Sequence, residues 1–327
     1  MSLDADTIVD RRRMRRKLTF WRVAAVVIAI LAIVGAGVVL APRTGFLREA
    51  GTSGYIARIK IEGLIRGNQD RVESLDRLAK SSARAVIVHV DSPGGTTAGS
   101  QELFDSLRAL QAKKPMVVVV DGLAASGAYI AAMSADHIIA RDTSLVGSIG
   151  VLVQFPNFTE VLKTIGIKVE EIKSAPLKAA PNGFEPTTPE ARAAVESLIK
   201  DSFDWFKGLV KSRRHMDDQE LARVSDGRVF TGRQAVGLKL IDALGNEKTA
   251  LAWLQSARKV PADTPVRDYS LEPRFGDLTF LHMAAWIFEA AGLKALAHRL
   301  EAWSAVQSVE RLNLDGLLAL WHPSLSN

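Results

Sequence analysis

The sequence has no cysteine. A thiol nucleophile, a cysteine-ligated zinc and disulfide cross-links are therefore excluded. This absence assigns no compartment, because many exported bacterial proteins also lack disulfides. No Gly-x-Gly-x-x-Gly follows a strand pattern, so the dinucleotide reading fails. No glycine-rich loop ends in Gly-Lys-Ser/Thr, so the phosphate-loop reading fails as well. There is no internal repeat and no low-complexity tract. Charge of one sign is only slightly in excess, at a formal net +6 over 327 residues. Much of it sits on Arg11, Arg12, Arg13, Arg15, Arg16 and Lys17. A nucleic-acid arm is the competing reading of that cluster, but it is local and the next segment points elsewhere, so no nucleic-acid partner is expected.

Charge is also missing from Val23 to Ala41. About 19 residues make a helix of roughly 28 Å, close to the thickness of a bilayer core. Phe20 and Trp21 stand at the interface position, just after the basic cluster. The positive-inside rule then places the N-terminus in the cytoplasm and everything after Ala41 on the other side of the membrane. A cleaved signal peptide is the alternative, although its apolar region is usually shorter, about 7–15 residues. These features divide the chain into a basic cytoplasmic segment (1–22), a transmembrane anchor (23–41), a linker (42–54), a folded domain (55–260) and a C-terminal helical extension (261–327). Within the extension, 277–303 reads as a helix pair.

The folded part begins at Tyr55 with alternation around Ile59 and Ile61, a half-buried strand. Ala85 to Val90 is a nearly unbroken apolar, β-branched run, as expected of a strand covered on both faces. It ends in Asp91-Ser92-Pro93-Gly94-Gly95, which reads as a sharp turn. Leu103, Leu107 and Leu110 mark a helix, Lys113-Lys114-Pro115 stops it, and Met116 to Val120 is the next strand. This βαβ pattern implies parallel strands with a right-handed crossover. The chain then passes through Gly122-Leu123-Ala124-Ala125-Ser126-Gly127-Ala128-Tyr129 into a small-residue helix. Ser126 thus stands at a strand-to-helix joint, on the sheet edge where open α/β folds place their sites. Two readings are open there: an N-cap, or a nucleophile near a helix N-terminus that favours developing negative charge. The two glycine-bearing turns on this edge can supply backbone N–H groups to an oxyanion.

A nucleophilic serine needs a base. None of the histidines, His89, His137, His215, His282, His298 and His322, stands in an obvious loop beside an acid. A lysine also serves if its surroundings keep it neutral. Lys178, among the small and apolar residues of Ser174-Ala175-Pro176-Leu177-Lys178-Ala179-Ala180-Pro181, is the candidate; its ordinary role is that of a solvated loop lysine.

Five stretches together resemble the short SppA-type signal peptide peptidases of peptidase family S49. They are Asp91–Gly95, Ala125–Tyr129, Val146-Gly147-Ser148-Ile149-Gly150-Val151, Ile172–Lys178 and Asp226-Gly227-Arg228-Val229-Phe230-Thr231-Gly232. They fall in the family's order between about Tyr55 and Leu254. The resemblance implies an α/β fold, a crotonase/Clp-protease-like spiral of β-β-α units, which follows the N-terminal transmembrane helix and precedes the C-terminal helical extension read above. It implies Ser126 as nucleophile, Lys178 as general base, Ser148 as a hydroxyl bonded to that lysine, and the N–H groups of Gly95 and Gly127 as oxyanion hole. The plain role of Ser148 is turn formation between Gly147 and Gly150. It implies no metal, nucleotide or coenzyme. The expected partners are peptide substrates (signal-peptide remnants) and the lipid bilayer. Longer family members carry two copies of the domain, with the lysine in one and the serine in the other. This chain has room for one, so a closed homo-oligomer with shared active sites is expected. A crotonase-like acyl-CoA enzyme and a catalytically inactive membrane scaffold are the rival functions.

Overall fold

The computed structural model describes residues 54–271, the backbone of residues 318–320, and Lys17, Trp21 and Arg22. The chain divides into two compact units, 1–53 and 54–327. Among the described residues no helix is long and apolar enough to cross a membrane. The expected anchor, 23–41, and the expected helix pair, 277–303, lie outside the described residues.

Chain order in the second unit runs β1 (Tyr55–Ile65), α1 (Gln69–Lys80), β2 (Ala83–Thr96), α2 (Thr97–Gln111), β3 (Met116–Ala125) and α3 (Gly127–Ala132). It continues through β4 (His137–Ala140), β5 (Leu145–Gly147), α4 (Thr159–Thr164), α5 (Pro189–Arg214), α6 (Asp218–Val224) and β6 (Val229–Thr231). It closes with α7 (Gly232–Gly237), β7 (Ala243–Leu244), α8 (Glu247–Arg258), β8 (Val266–Asp268) and β9 (Leu318–Leu320). The strands form one mixed sheet in the order β6-β5-β3-β2-β1-β8, with β4 and β7 branching from β3 and β9 added to β2. β1, β2 and β3 are parallel neighbours, as the βαβ pattern requires. β6 and β9 are antiparallel to their partners.

Both faces of the sheet are covered, which is why β2 and β3 read as continuous apolar runs. Val86, Val88, Val90, Val118 and Val120 face Leu75 and Leu78 of α1 and Leu103 and Leu107 of α2. Ile87, Val117 and Val119 face Ala250 and Leu254 of α8. A fully buried leucine such as Leu107 contributes about 1.5–3 kcal/mol. Local signals agree with this packing. Thr188 caps α5 by accepting from Ala191, with Pro189 in the first turn, and His215 ends that helix in the left-handed region at φ 52°.

The expected turn at Ser92-Pro93-Gly94-Gly95 is instead a continuation of β2. Leu64 and Ile65 of β1 pair with Gly94 and Gly95 after a register shift. Gly63, at φ 66°, makes the opposing irregularity. The buried Ser92 hydroxyl donates to the Gly63 carbonyl at 2.6 Å and accepts from the Gly94 N–H at 3.1 Å. A proline without an N–H is tolerated there because the ladder is already broken.

On the α8 side, charges extend this packing into a network. His89 Nδ1 lies 2.7 Å from Asp121 Oδ2, and its Nε2 lies 2.8 Å from Glu247 Oε2. Arg58 donates to both oxygens of Glu247 and to Asp268, and Arg141 to Asp121. Burial alone would raise the Glu247 pKa, but hydrogen bonds from Arg58 and His89 outweigh it and hold it below the ordinary value. A depressed carboxylate stabilises the fold above its unfolded pKa and loses that contribution as pH falls through the folded one. Glu247→Gln is therefore expected to destabilise by about 1–3 kcal/mol at neutral pH. The gap should close on acidification, as read by thermal unfolding at a series of pH values. A gap that stays constant down to pH 3 would contradict this account.

Candidate active site

β3 has two neighbours on one side in succession. Residues 117–120 pair with β4, and Leu123 to Ala125 pair with β5. After Ala125 the chain turns abruptly into α3, and Ser126 is the corner. Its backbone is at φ 55°, ψ −116°, outside the ordinary regions, at a cost of about 1–3 kcal/mol for a residue with a Cβ. The corner is held by Ser126 N–H donating to the Gly147 carbonyl at 2.8 Å and by Ile130 N–H donating to the Ser126 carbonyl at 3.0 Å. Its chain neighbours are all small, Ala124, Ala125, Gly127 and Ala128, and all are buried. α3 is pinned from below by Tyr129, whose buried hydroxyl donates to the Leu240 carbonyl at 2.7 Å. Burial pushes that phenol's pKa up, so it stays neutral.

The N-cap reading of Ser126 does not hold: its side chain makes no capping hydrogen bond to α3. Its Oγ donates instead to the Gly150 carbonyl, at a marginal 3.5 Å. A hydroxyl at a strained corner, spared from capping, is available for other chemistry. Gly127 opens the helix, where the first N–H groups have no intrahelical partner. Gly95 lies on the neighbouring strand tip. A Cβ there would sit 1.8 Å from the Ile65 carbonyl oxygen, so β1 permits only glycine. Ser148 follows the end of β5 and is next to the corner through the Ala125–Gly147 pairing. It is buried, also left-handed at φ 50°, and its N–H donates to the Arg228 carbonyl at 2.9 Å. Ser126, Ser148, Gly95 and Gly127 are thus gathered at the ends of three adjacent strands.

No described histidine serves Ser126. Both ring nitrogens of His89 are occupied by carboxylates. His137 stacks on Trp253, with ring centroids 4.7 Å apart, at the opposite end of β3's ladder with β4. His215 terminates α5. His282, His298 and His322 lie outside the described residues. The acids beside His89 escape sequence reasoning because Asp121 is 32 and Glu247 158 residues away.

Among the described residues no hydrogen bond joins the Lys178 amine to Ser126, whose hydroxyl is directed at the Gly150 carbonyl. Lys178 is exposed, in a turn closed by its own N–H donating to the Ala175 carbonyl at 3.0 Å, whereas Ser126 is 1% exposed. No hydrogen bond or ion pair holds its amine among the described residues. The arm carrying it, from Phe155 to Phe184, exposes Phe158, Val161, Ile165, Ile167, Ile172 and Leu177, and α4 within it buries no residue. An apolar arm without a core of its own marks an interaction surface. The loop base is nonetheless organised. Lys173 Nζ lies 2.6 Å from Glu171 and 2.5 Å from Glu185, and Asn182 ties Ala179, Phe184 and Glu185 together. Hydrogen bonds with Glu171, then Glu185, raise the pKa of Lys173, which keeps it charged and unfit as a base. This clamp has no distinct signal in the sequence, where Glu171-Ile172-Lys173 carries only a short charge alternation.

The comparisons with known proteins bear on this geometry. A sequence model of peptidase family S49 matches residues 108–261, which include the corner and the lysine loop. A protease-named protein of Synechocystis sp. is 32% identical over 228 residues, covering 69% of this chain and 82% of that protein. This chain belongs to peptidase family S49. A second protease-named relative, from Methanocaldococcus jannaschii, is 34% identical over 206 residues, 63% of this chain and 66% of that one. Protease 4 of Haemophilus influenzae is 29% identical over 228 residues, but the match spans only 37% of its length. A Clp protease model also matches residues 68–144, from α1 to the end of β4, in keeping with a Clp-protease-like α/β sheet.

Proposed function

We propose that this S49 family member is a serine endopeptidase that forms an acyl-enzyme on Ser126, with Lys178 of a neighbouring copy as general base. The observation that carries the reading is the strained, uncapped Ser126 corner. In the proposed reaction Ser126 Oγ attacks the scissile carbonyl carbon and its proton passes to the neutral Lys178 amine. The N–H groups of Gly95 and Gly127 receive the oxyanion. Collapse expels the amine of the departing peptide, which takes the proton from Lys178. A water then attacks the ester, giving its proton to Lys178, and as the ester C–O bond breaks Lys178 returns that proton to Ser126 Oγ and the carboxylic acid product leaves. Ser148, one strand away, orients the lysine by accepting its hydrogen bond. A lysine base needs a dry pocket rather than an orienting acid, and a single subunit leaves Lys178 in water. A neighbour covering the apolar arm would supply the missing enclosure, and head-to-tail contacts of this kind close into rings.

The basic cluster and the uncharged 23–41 stretch support a membrane-anchored enzyme with its catalytic part outside the cytoplasm. Signal-peptide remnants and other membrane-associated apolar peptides fit that setting. A serine-reactive fluorophosphonate probe tests the reading against its rivals. It is expected to label the assembled protein at Ser126, located by peptide mass mapping. An acyl-CoA enzyme or an inactive scaffold leaves Ser126 unlabelled, and that result would remove the serine peptidase reading.

A further inference from the structure

Asp226–Gly232, one of the five stretches that carry the family resemblance, supplies no side chain to the proposed reaction. It reaches Ser126 through a single peptide unit. That unit joins Gly147 to Ser148, and both residues are left-handed, at φ 104° and 50°. Its carbonyl accepts the Ser126 N–H at 2.8 Å, and its N–H donates to the Arg228 carbonyl at 2.9 Å. The two groups of a trans peptide share one plane and point in opposite directions, so neither turns without the other. The plane that holds the serine corner is thus set from its far side by Arg228. β6 leaves it little room: a Cβ on Gly147 would sit 3.1 Å from the Phe230 ring and 3.3 Å from the Arg228 carbonyl oxygen. The turn before β6 also touches Gly150, where a Cβ would lie 3.7 Å from Gly227 Cα. The Gly150 carbonyl is the acceptor of Ser126 Oγ.

Arg228 is itself gripped by Asp226. Asp226 Oδ1 accepts the Arg228 backbone N–H at 3.2 Å. Asp226 Oδ2 accepts Arg228 Nε at 2.6 Å, and Nη2 donates to the same oxygen. A side-chain oxygen bonded to the N–H two residues on is a closure that Asp and Asn favour. An exposed ion pair adds little to stability. With the Asp226 and Arg228 side chains 40% and 66% exposed, neither fills a core. We propose that Asp226 and Arg228 are positioning residues for Ser126. The Asp226 carboxylate closes the turn, the turn aims the Arg228 carbonyl, and that carbonyl fixes the peptide plane that holds the Ser126 nitrogen and begins Ser148. The inference rests on the peptidase reading above and adds what keeps its nucleophile in place.

Three replacements at Asp226 separate this role from charge and from folding. Asp226→Ala removes the closure. Asp226→Asn keeps the oxygen that accepts the Arg228 N–H and loses the charge. Asp226→Glu keeps the charge, but its extra methylene spoils the short closure that Asp and Asn make. On the assembled full chain, kcat and KM are measured for an apolar peptide, together with the second-order rate of fluorophosphonate modification at Ser126. Asp226→Ala and Asp226→Glu are expected to lose about 10–100-fold in kcat and in labelling rate, as about 1 Å of misplacement does, with KM and Tm little changed. Asp226→Asn is expected to recover most of both rates. Should Asp226→Ala not fold, the Asn and Glu pair decides alone. An Ala or Glu variant as fast as the unaltered chain, an Asn variant as slow as the Glu one, or losses that only track a lowered Tm would overturn the positioning role and leave the peptidase reading standing. An unaltered chain that neither labels nor hydrolyses would remove the peptidase reading, and the positioning role with it.

Discussion

Ser126→Ala and Lys178→Ala chains, each inactive alone, are expected to regain activity when assembled together. Loss of the nucleophile lowers kcat by about 10⁴-fold or more, and loss of a general base by about 10²–10⁴-fold. If the dyad is shared, a complete site needs Ser126 from one subunit and Lys178 from its neighbour. The Lys178→Ala chain still supplies the serine, and the Ser126→Ala chain still supplies the lysine. Random mixing in equal amounts then makes about one site in four complete, so about a quarter of wild-type activity per site should return. The basis is the arm from Phe155 to Phe184, which carries Lys178 into solvent with its apolar side chains exposed while Ser126 is buried at the sheet. A dyad within one chain gives no subunit with both groups. Background activity in oligomers shown by mass spectrometry to contain both chains would therefore sink the shared site and leave the Ser126 chemistry standing.

The second large effect concerns the base itself. Lys178→Arg is expected to lose about 10²–10⁴-fold in kcat/KM at every accessible pH, because arginine keeps the charge and does not deprotonate in this range. The unaltered enzyme should gain activity as pH rises, since only the neutral amine accepts the Ser126 proton. Lys173 provides an internal control. Glu171 and Glu185 hold it charged, so Lys173→Arg keeps the ion pairs and should preserve the alkaline rise. An active Lys178→Arg enzyme would point to a different base. A lost pH dependence in Lys173→Arg would show that the clamp, rather than Lys178 alone, sets the titration.

The sequence by itself determined the parts whose physics is local. Covered strands demand unbroken β-branched runs, so β2 and β3 were legible at Val86–Val90 and Val117–Val120. The caps at Thr188 and Thr231 are local in the same sense, because each accepts from an N–H only three residues on. The small residues around Ser126 marked a tight corner, and the motif set pointed to the family that the comparisons show. Tertiary structure decided what depends on distant partners. Ser92–Gly95 extends a strand because β1 supplies a matching irregularity at Gly63, some 30 residues earlier. His89 is claimed by Asp121 and Glu247 through the sheet and α8, which removes it as a base. Ser126 is spared from capping because its backbone is held at φ 55° by the Gly147 carbonyl of a neighbouring strand. The placement of β9 beside the tip of β2 joins residues more than 200 positions apart. No periodicity in either segment encodes that pairing, since any extended chain satisfies an open edge and only the fold determines which one lies within reach.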